Sequence, residues 1–551
     1  MQTLLLTLLP LVHGLFHKHP TLPPVIFGRP PGGPLKSARY LYSNTPWIND
    51  TSVVDQYFTQ KNDHFDDASK ETFQQRFWHN SAFAKGEIDL VFVVLGGMET
   101  LDASCTTDKG LQHVQWAIEF GAHVVCLEHR FAGKSLPLQN GINTGVFSKL
   151  LTVKQASRDV AEFILANKLG FNYSRWMLFG ASYGGYLAAR VNEEYHGLFI
   201  GTVASSAPVR NVEEFQEFSN VVQTTLHGIS VGNIKCSDGV RLLADNIVAM
   251  VDTQDGRIRL NDKLMLDPPF DNANLGDNFM RDKEHLLNNI YGLFQLYGLY
   301  AHNVQAFGTA DVATTMCQKI FTPPKPLDGF NDFLHWYNEM YSISKDNKFP
   351  NSYHDTVETL KIDGAGDAEL QENRAWLWLS CNELGMFSGP SGNGIFGKLS
   401  NLQVMMNLCM DVFSTQFPNL PETPNDFNGY DIMLTYGARD PFSPLGQKQE
   451  NAGTNVRIQT IDGAGHCADV VSGSPGTEAV HAATKAFIQE RLTHYKPTGT
   501  PMSPAPGACT VQPSNSPAIS TSPSTIQPST QSAGVSTVLL ATVCGLVMRA
   551  N

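Results

Sequence analysis

Four short apolar runs in the first half of the chain constrain the fold most. They are Ile88–Leu95 (IDLVFVVL), His123–Leu127 (HVVCL), Arg175–Phe179 (RWMLF) and Leu198–Ala204. The first is continuous and ends at Gly96-Gly97, as a strand covered on both faces requires. Segments of helical length separate the runs. Leu111–Phe120 has helical spacing, Thr152-Val153-Lys154-Gln155 has capping-box form and opens a helix to about Lys168, and Tyr183–Tyr195 is a third helix. Strands alternating with helices predict right-handed crossovers and a parallel sheet. The rhythm stops near Val209 and resumes with Asp431–Tyr436, Val456–Ile461 and a closing helix, Thr477–Tyr495. The prediction is one α/β domain, residues 50–210 and 428–495, interrupted by a helical segment over 211–427.

The third run leads into Gly180-Ala181-Ser182-Tyr183-Gly184, a GxSxG pentapeptide. That motif is weak alone, and Gly228-Ile229-Ser230-Val231-Gly232 matches it too. A nucleophile elbow needs a strand before it and a helix after it. Ser182 has both; Ser230 has neither and is assigned to a loop. A serine hydroxyl also needs a base and a group to orient that base. In the α/β-hydrolase fold the order is Ser, then acid, then His. Asp440 follows the strand DIMLTY, and His466 follows VRIQTI. Both fall just past strand carboxyl ends, the edge that carries Ser182. Asp-Pro is also a common turn former. Asp462 and Asp469 lie near His466, so chemistry alone leaves the acid open. The oxyanion needs two donors, assigned to the backbone N–H of Tyr183 and to the loop at Gly97.

Net charge is -13 with no Lys/Arg-rich run, which argues against a nucleic-acid partner. There is no CxxC or HExxH, so neither metal nor other cofactor is expected. Cys126 reads as a buried thiol inside its strand, while Cys236, Cys317, Cys381 and Cys409 are placed to staple the helical region. Residues 1–14 read as a signal peptide, and Asn49-Asp50-Thr51 and Asn172-Tyr173-Ser174 are glycosylation acceptor sequences. Residues 497–532 form a Ser/Thr/Pro-rich stalk, followed by an apolar tail, 533–551. Val535–Met548 is short for a membrane span and resembles a glycolipid-anchor signal, with attachment near Ser522 or Ser524. A short membrane helix and an untethered protein stay open, as does pairing into a homodimer. The expected locations are extracellular, cell-surface or lysosomal.

Several longer motifs carry a family resemblance. They are Gln60–Phe65 (QKNDHF), Thr72–Phe77 (TFQQRF), Glu128-His129-Arg130, Gly180–Gly185 (GASYGG), Ser205-Ser206-Ala207-Pro208, Gly437–Pro441 (GARDP) and Gly465-His466-Cys467. From about Gln60 to Tyr495 the chain resembles the prolyl carboxypeptidase and dipeptidyl peptidase II family, its thymus-specific serine protease branch above all. The resemblance implies a helical cap between nucleophile and acid, and cleavage of peptides next to proline from one chain end. It implies Asp440 as the acid, Cys236–Cys317 and Cys381–Cys409 disulfides, and a proline pocket at Tyr186, Met386 and Phe442. The chain departs from the family at Met98, Ala132, Leu379, Tyr186 and Phe442, none of them in the triad. An esterase or lipase on the same fold, and a surface binding protein on an inherited scaffold, are the alternative readings.

Overall fold

The computed structural model describes residues 22, 29, 33, 35–38, 52–85, 90–138, 143–166, 175–270, 275–276, 278–299, 312–340, 348–363, 367–389, 394–414 and 427–494. The signal, stalk, tail and both glycosylation sequences lie outside them. Eight strands form the central sheet: β1 (Gln56–Lys61), β2 (Thr72–Asn80), β3 (Leu90–Leu95), β4 (His123–Leu127), β5 (Arg175–Ala181), β6 (Gly201–Ser205), β7 (Ile432–Gly437) and β8 (Val456–Ile461). Their order is β1-β2-β4-β3-β5-β6-β7-β8. β1 and β2 pair antiparallel, as do β2 and β4; β4 onward, every neighbouring pair is parallel.

The apolar run of β3 is explained by its two covered faces. Phe92 and Val94 pack with Val114 and Trp116 of α1 (Gln112–Phe120) and with Phe487 of the last helix. Val91 and Val93 pack with Val160 and Phe163 of α2 (Val153–Leu165) and with Leu187 of α3 (Tyr183–Tyr195). Thr152 caps α2 by accepting the Gln155 N–H at 3.1 Å. β6 begins later than the apolar run because His196–Leu198 is spent on a 3-10 turn after α3.

The hairpin β1–β2 is held by buried polar groups, so apolar periodicity does not reveal it. Gln60 donates to Gln75 at 3.0 Å, and Gln75 to the Glu128 carbonyl at 2.9 Å. Arg130 grips Asp159 at 2.6 and 2.7 Å, and His64 meets the same carboxylate at 2.7 Å. Residues of QKNDHF, TFQQRF and Glu128-His129-Arg130 thus meet in one structural network.

Between β6 and β7 the described chain is mostly helical: α4 (Gln216–His227), α5 (Cys236–Val251), α6 (Gln254–Leu264), α7 (Phe279–Leu299), α8 (Val312–Phe321), α9 (Pro326–Met340), α10 (Tyr353–Lys361), α11 (Ala368–Leu379) and α12 (Leu402–Phe413). α13 (Glu478–His494) closes the fold. The helices share cores with the sheet layer. Val222, Leu243 and Phe294 cluster with Ile461 and Ala464, and Trp378 and Leu379 cluster with Tyr183 and Tyr186. Among the described residues no helix is long and apolar enough to cross a membrane.

Cys236–Cys317 and Cys381–Cys409 are disulfides, as the resemblance implies. Cys126 is not a free thiol. It is bonded to Cys105, because the short helix Ser104–Thr107 after β3 lays Cys105 against β4. Replacing both residues with serine is expected to lower stability by about 3 kcal/mol. Denaturant melts of the double variant check this; an unchanged midpoint would show the bridge to be dispensable.

Candidate active site

Ser182 sits between β5 and α3 with φ 56° and ψ -123°. A non-glycine residue there carries strain of about 1–3 kcal/mol. Two backbone bonds hold it: Ser182 N–H to the Ser205 carbonyl at 2.9 Å, and Tyr186 N–H to the Ser182 carbonyl at 2.8 Å. The motif glycines let the turn close. A Cβ on Gly180 would stand 2.1 Å from the Gly184 carbonyl oxygen, and one on Gly184 would stand 2.7 Å from that of Leu95.

Asp440 lies three residues past β7 and His466 five past β8. Their loops are joined by the Arg439 N–H, which donates to the Ala464 carbonyl at 2.9 Å. His466 Nε2 is 2.8 Å from Ser182 Oγ, and Nδ1 is 2.9 Å from Asp440 Oδ1. A neutral ring protonated on Nδ1 satisfies both contacts, donating to Asp440 and accepting from Ser182. Asp440 is fully buried, His466 nearly so. Burial pulls the His466 imidazolium down, but the Asp440 carboxylate and the neighbouring Cys467 together outweigh it and lift the group well above 6.5.

The sequence left other acids open, and the geometry separates them. Asp469 accepts from the hydroxyls of Ser205 at 2.5 Å and Thr435 at 2.6 Å. Asp462 is exposed. Ser230 is exposed on a small hairpin, Ser230–Val231 with Ile234–Lys235, not in a loop.

Tyr183 is the first residue of α3, so its N–H lies at a helix N-terminus beside Ser182. Gly97 lies in the loop after β3, where its N–H donates to Glu99 Oε1 at 3.3 Å. Glu99 is buried, which pushes its carboxyl up to about 7.

Tyr186, Met386 and Phe442 line one pocket with Ser182 and Tyr183. Phe442 also donates its N–H to Asp440 at 2.9 Å, and its ring lies 5.2 Å from that of His466. Trp376, Ser380 and Leu384 also line it, and sequence reasoning did not place them in the site. They come from α11 and the π-turn Ser380–Leu384 that ends it. Such a turn leaves no apolar period to read. After it, Gly385–Phe387 pairs with Val212–Glu214 and brings Met386 to the pocket.

A largely parallel sheet with helices on both faces and a nucleophile-type elbow defines an α/β-hydrolase. The chain belongs to the serine carboxypeptidase S28 family, whose model matches residues 60–488, and it is a serine-type peptidase. A putative serine protease of Caenorhabditis elegans is 30% identical, covering 90% of this chain and 94% of the relative. The Homo sapiens thymus-specific serine protease is 25% identical over 79% of this chain and 85% of its own. The Homo sapiens lysosomal Pro-X carboxypeptidase is 24% identical over 74% and 82%. Among solved structures, a proline iminopeptidase of Mycobacterium smegmatis covers 80% of this chain and 99% of its own, at 13% identity and TM-score 0.33.

Proposed function

We propose that this is a secreted exopeptidase that hydrolyses peptides next to proline through an acyl-enzyme on Ser182. One observation carries the reading: the chain Asp440–His466–Ser182, with links of 2.9 and 2.8 Å, opens onto a mostly apolar pocket. His466 Nε2 takes the hydroxyl proton as Ser182 Oγ attacks the carbonyl carbon. Asp440 holds the ring and stabilises the imidazolium. The Tyr183 N–H receives the oxyanion; the second donor is assigned to the loop after β3, where the Gly97 N–H must first leave Glu99, to which it now donates. The proton then passes to the leaving amine, and water releases the acyl group by the same route. A rigid pyrrolidine ring suits the walls made by Tyr186, Trp376, Met386 and Phe442. The name of the Pro-X carboxypeptidase relative supports proline.

In this reading residues 50–210 and 428–495 do the chemistry and 211–427 cap it. The three disulfides fit an oxidising compartment. The signal at 1–14 and anchorage through the tail remain part of the proposal, as do an extracellular, cell-surface or lysosomal location and a homodimer.

Digestion of a proline-containing peptide library, read by mass spectrometry, tests the reading. Cleavage beside proline near one chain end is expected. Turnover of acyl esters with every proline peptide left intact would point to an esterase instead. The pH profile is a second test. Only neutral His466 can accept the proton, so kcat/KM should fall as pH drops through its raised pKa. The acid limb is expected above the usual imidazole value of about 6.5. A flat profile between about pH 6 and 8 would remove His466 as the base.

A further inference from the structure

The N-terminal segment carries two cations into a group of acids beside the loop that follows β3. Arg29 is 8% exposed and Lys36 5%. Lys36 Nζ lies 3.3 Å from Asp102. Arg29 Nη2 donates to the Met98 carbonyl at 2.9 Å and to Glu372 Oε2 at 2.8 Å, and Nη1 donates to Asn373 Oδ1 at 2.6 Å. The other oxygen of Glu372 accepts the Thr100 N–H at 2.8 Å and also the Thr100 hydroxyl. The loop is therefore pinned on both sides of Glu99: at the Met98 carbonyl by Arg29, and at Thr100 by a carboxylate that Arg29 itself holds.

This loop lies against the elbow. Leu95 pairs with Gly180, and the Leu95 carbonyl meets Gly184. Met98 shares a core cluster with Tyr183 and Tyr186. A peptide group is planar, so fixing the Met98 carbonyl leaves the chain from Gly97 to Thr100 few dihedrals to vary. Glu372 and Asn373 belong to α11, the helix that also supplies Trp376 to the pocket. One guanidinium thus ties the segment before the sheet, the oxyanion loop and a pocket-forming helix together. Arg29 lies upstream of residues 60–488, the span of the family match.

We propose that Arg29 is a positioning residue for acyl transfer, acting through the Met98 carbonyl on the loop that offers an oxyanion donor. The proposal rests on the Ser182 reading above. Arg29→Met alone would strand Glu372 as a buried charge, so the informative variant is the neutral pair Arg29→Met/Glu372→Gln. The glutamine can still accept from Thr100.

The test is the reaction of the full chain with a fluorophosphonate, resolving kinact from KI, beside thermal melts. The pair is expected to melt near wild type and bind the probe with KI unchanged. Its kinact is expected to fall about 100-fold, the scale of a misplaced transition-state donor. Wild-type kinact in the folded pair overturns the proposal, because Arg29 would then only neutralise Glu372. Should the pair fail to fold, Arg29→Lys decides. It keeps the charge, but an ammonium cannot match three acceptors set for a planar fork. A fall in kinact of about tenfold or more supports positioning, and wild-type kinact overturns it. Failure of the wild-type protein to react at Ser182 is a separate outcome, and it overturns the parent reading instead.

Discussion

Ser182→Ala is expected to lower kcat by about 10⁶-fold with little change in melting temperature. The variant removes one oxygen, the atom that in the proposed mechanism accepts the acyl group and gives its proton to His466. It leaves the elbow intact, because the bonds that hold residue 182 run through its backbone N–H and carbonyl. Alanine tolerates the positive φ no worse than serine. Turnover of the best peptide from the library and labelling by a fluorophosphonate should vanish together. Labelling that moved to Ser230 and kept its rate would remove Ser182 from the mechanism.

Asp440→Asn is expected to lower kcat by about 10⁴-fold. The shapes match, but Asp440 Oδ1 accepts both the His466 ring at 2.9 Å and the Phe442 N–H at 2.9 Å. An amide that turns its NH₂ toward His466 selects the wrong tautomer, with Nε2 protonated and unable to accept from Ser182. The pH profile carries a second signature. Burial lowers the imidazolium pKa of His466 and the Asp440 charge raises it. Removing the charge takes away the larger of the two influences that oppose burial, the other being Cys467, so the acid limb should move to lower pH while the rate falls. An acid limb that stayed in place would mean that Asp440 does not set the charge state of His466. A variant such as Asp469→Asn should show neither signature, since that carboxylate is bound by Ser205 and Thr435.

The meeting of Ser182, Asp440 and His466 at one edge was legible in the sequence. Ser182, Asp440 and His466 each follow an apolar run, and a parallel sheet brings such ends to one edge. Side chains were harder wherever their partners are distant in sequence. The hairpin β1–β2 was hidden because Gln60 and Gln75 are buried through hydrogen bonds. Cys126 looked like a plain strand thiol because its partner, Cys105, reaches it across a loop of no fixed period. Trp376 and Ser380 reach the pocket by way of a π-turn. Arg29 acts on residues about 70 and 340 positions away, beyond what any local pattern records.

The helices between β6 and β7 also bear on how such an enzyme can be re-engineered. β6 and β7 are parallel neighbours, with Thr202 opposite Ile432. A chain leaving the end of β6 must return to the opposite edge of the sheet before β7 can begin. Topologically, the whole segment 211–427 is one crossover connection that has grown large. Cutting it back to a tight turn is therefore geometrically forbidden, and about a dozen residues is the shortest replacement. Even that graft would open to water the core in which Ile461 and Ala464 now cluster with Val222 and Phe294. Exchanging the segment between homologous enzymes should succeed only when this core travels with it, which makes the segment and its footing the natural unit for transplanting specificity.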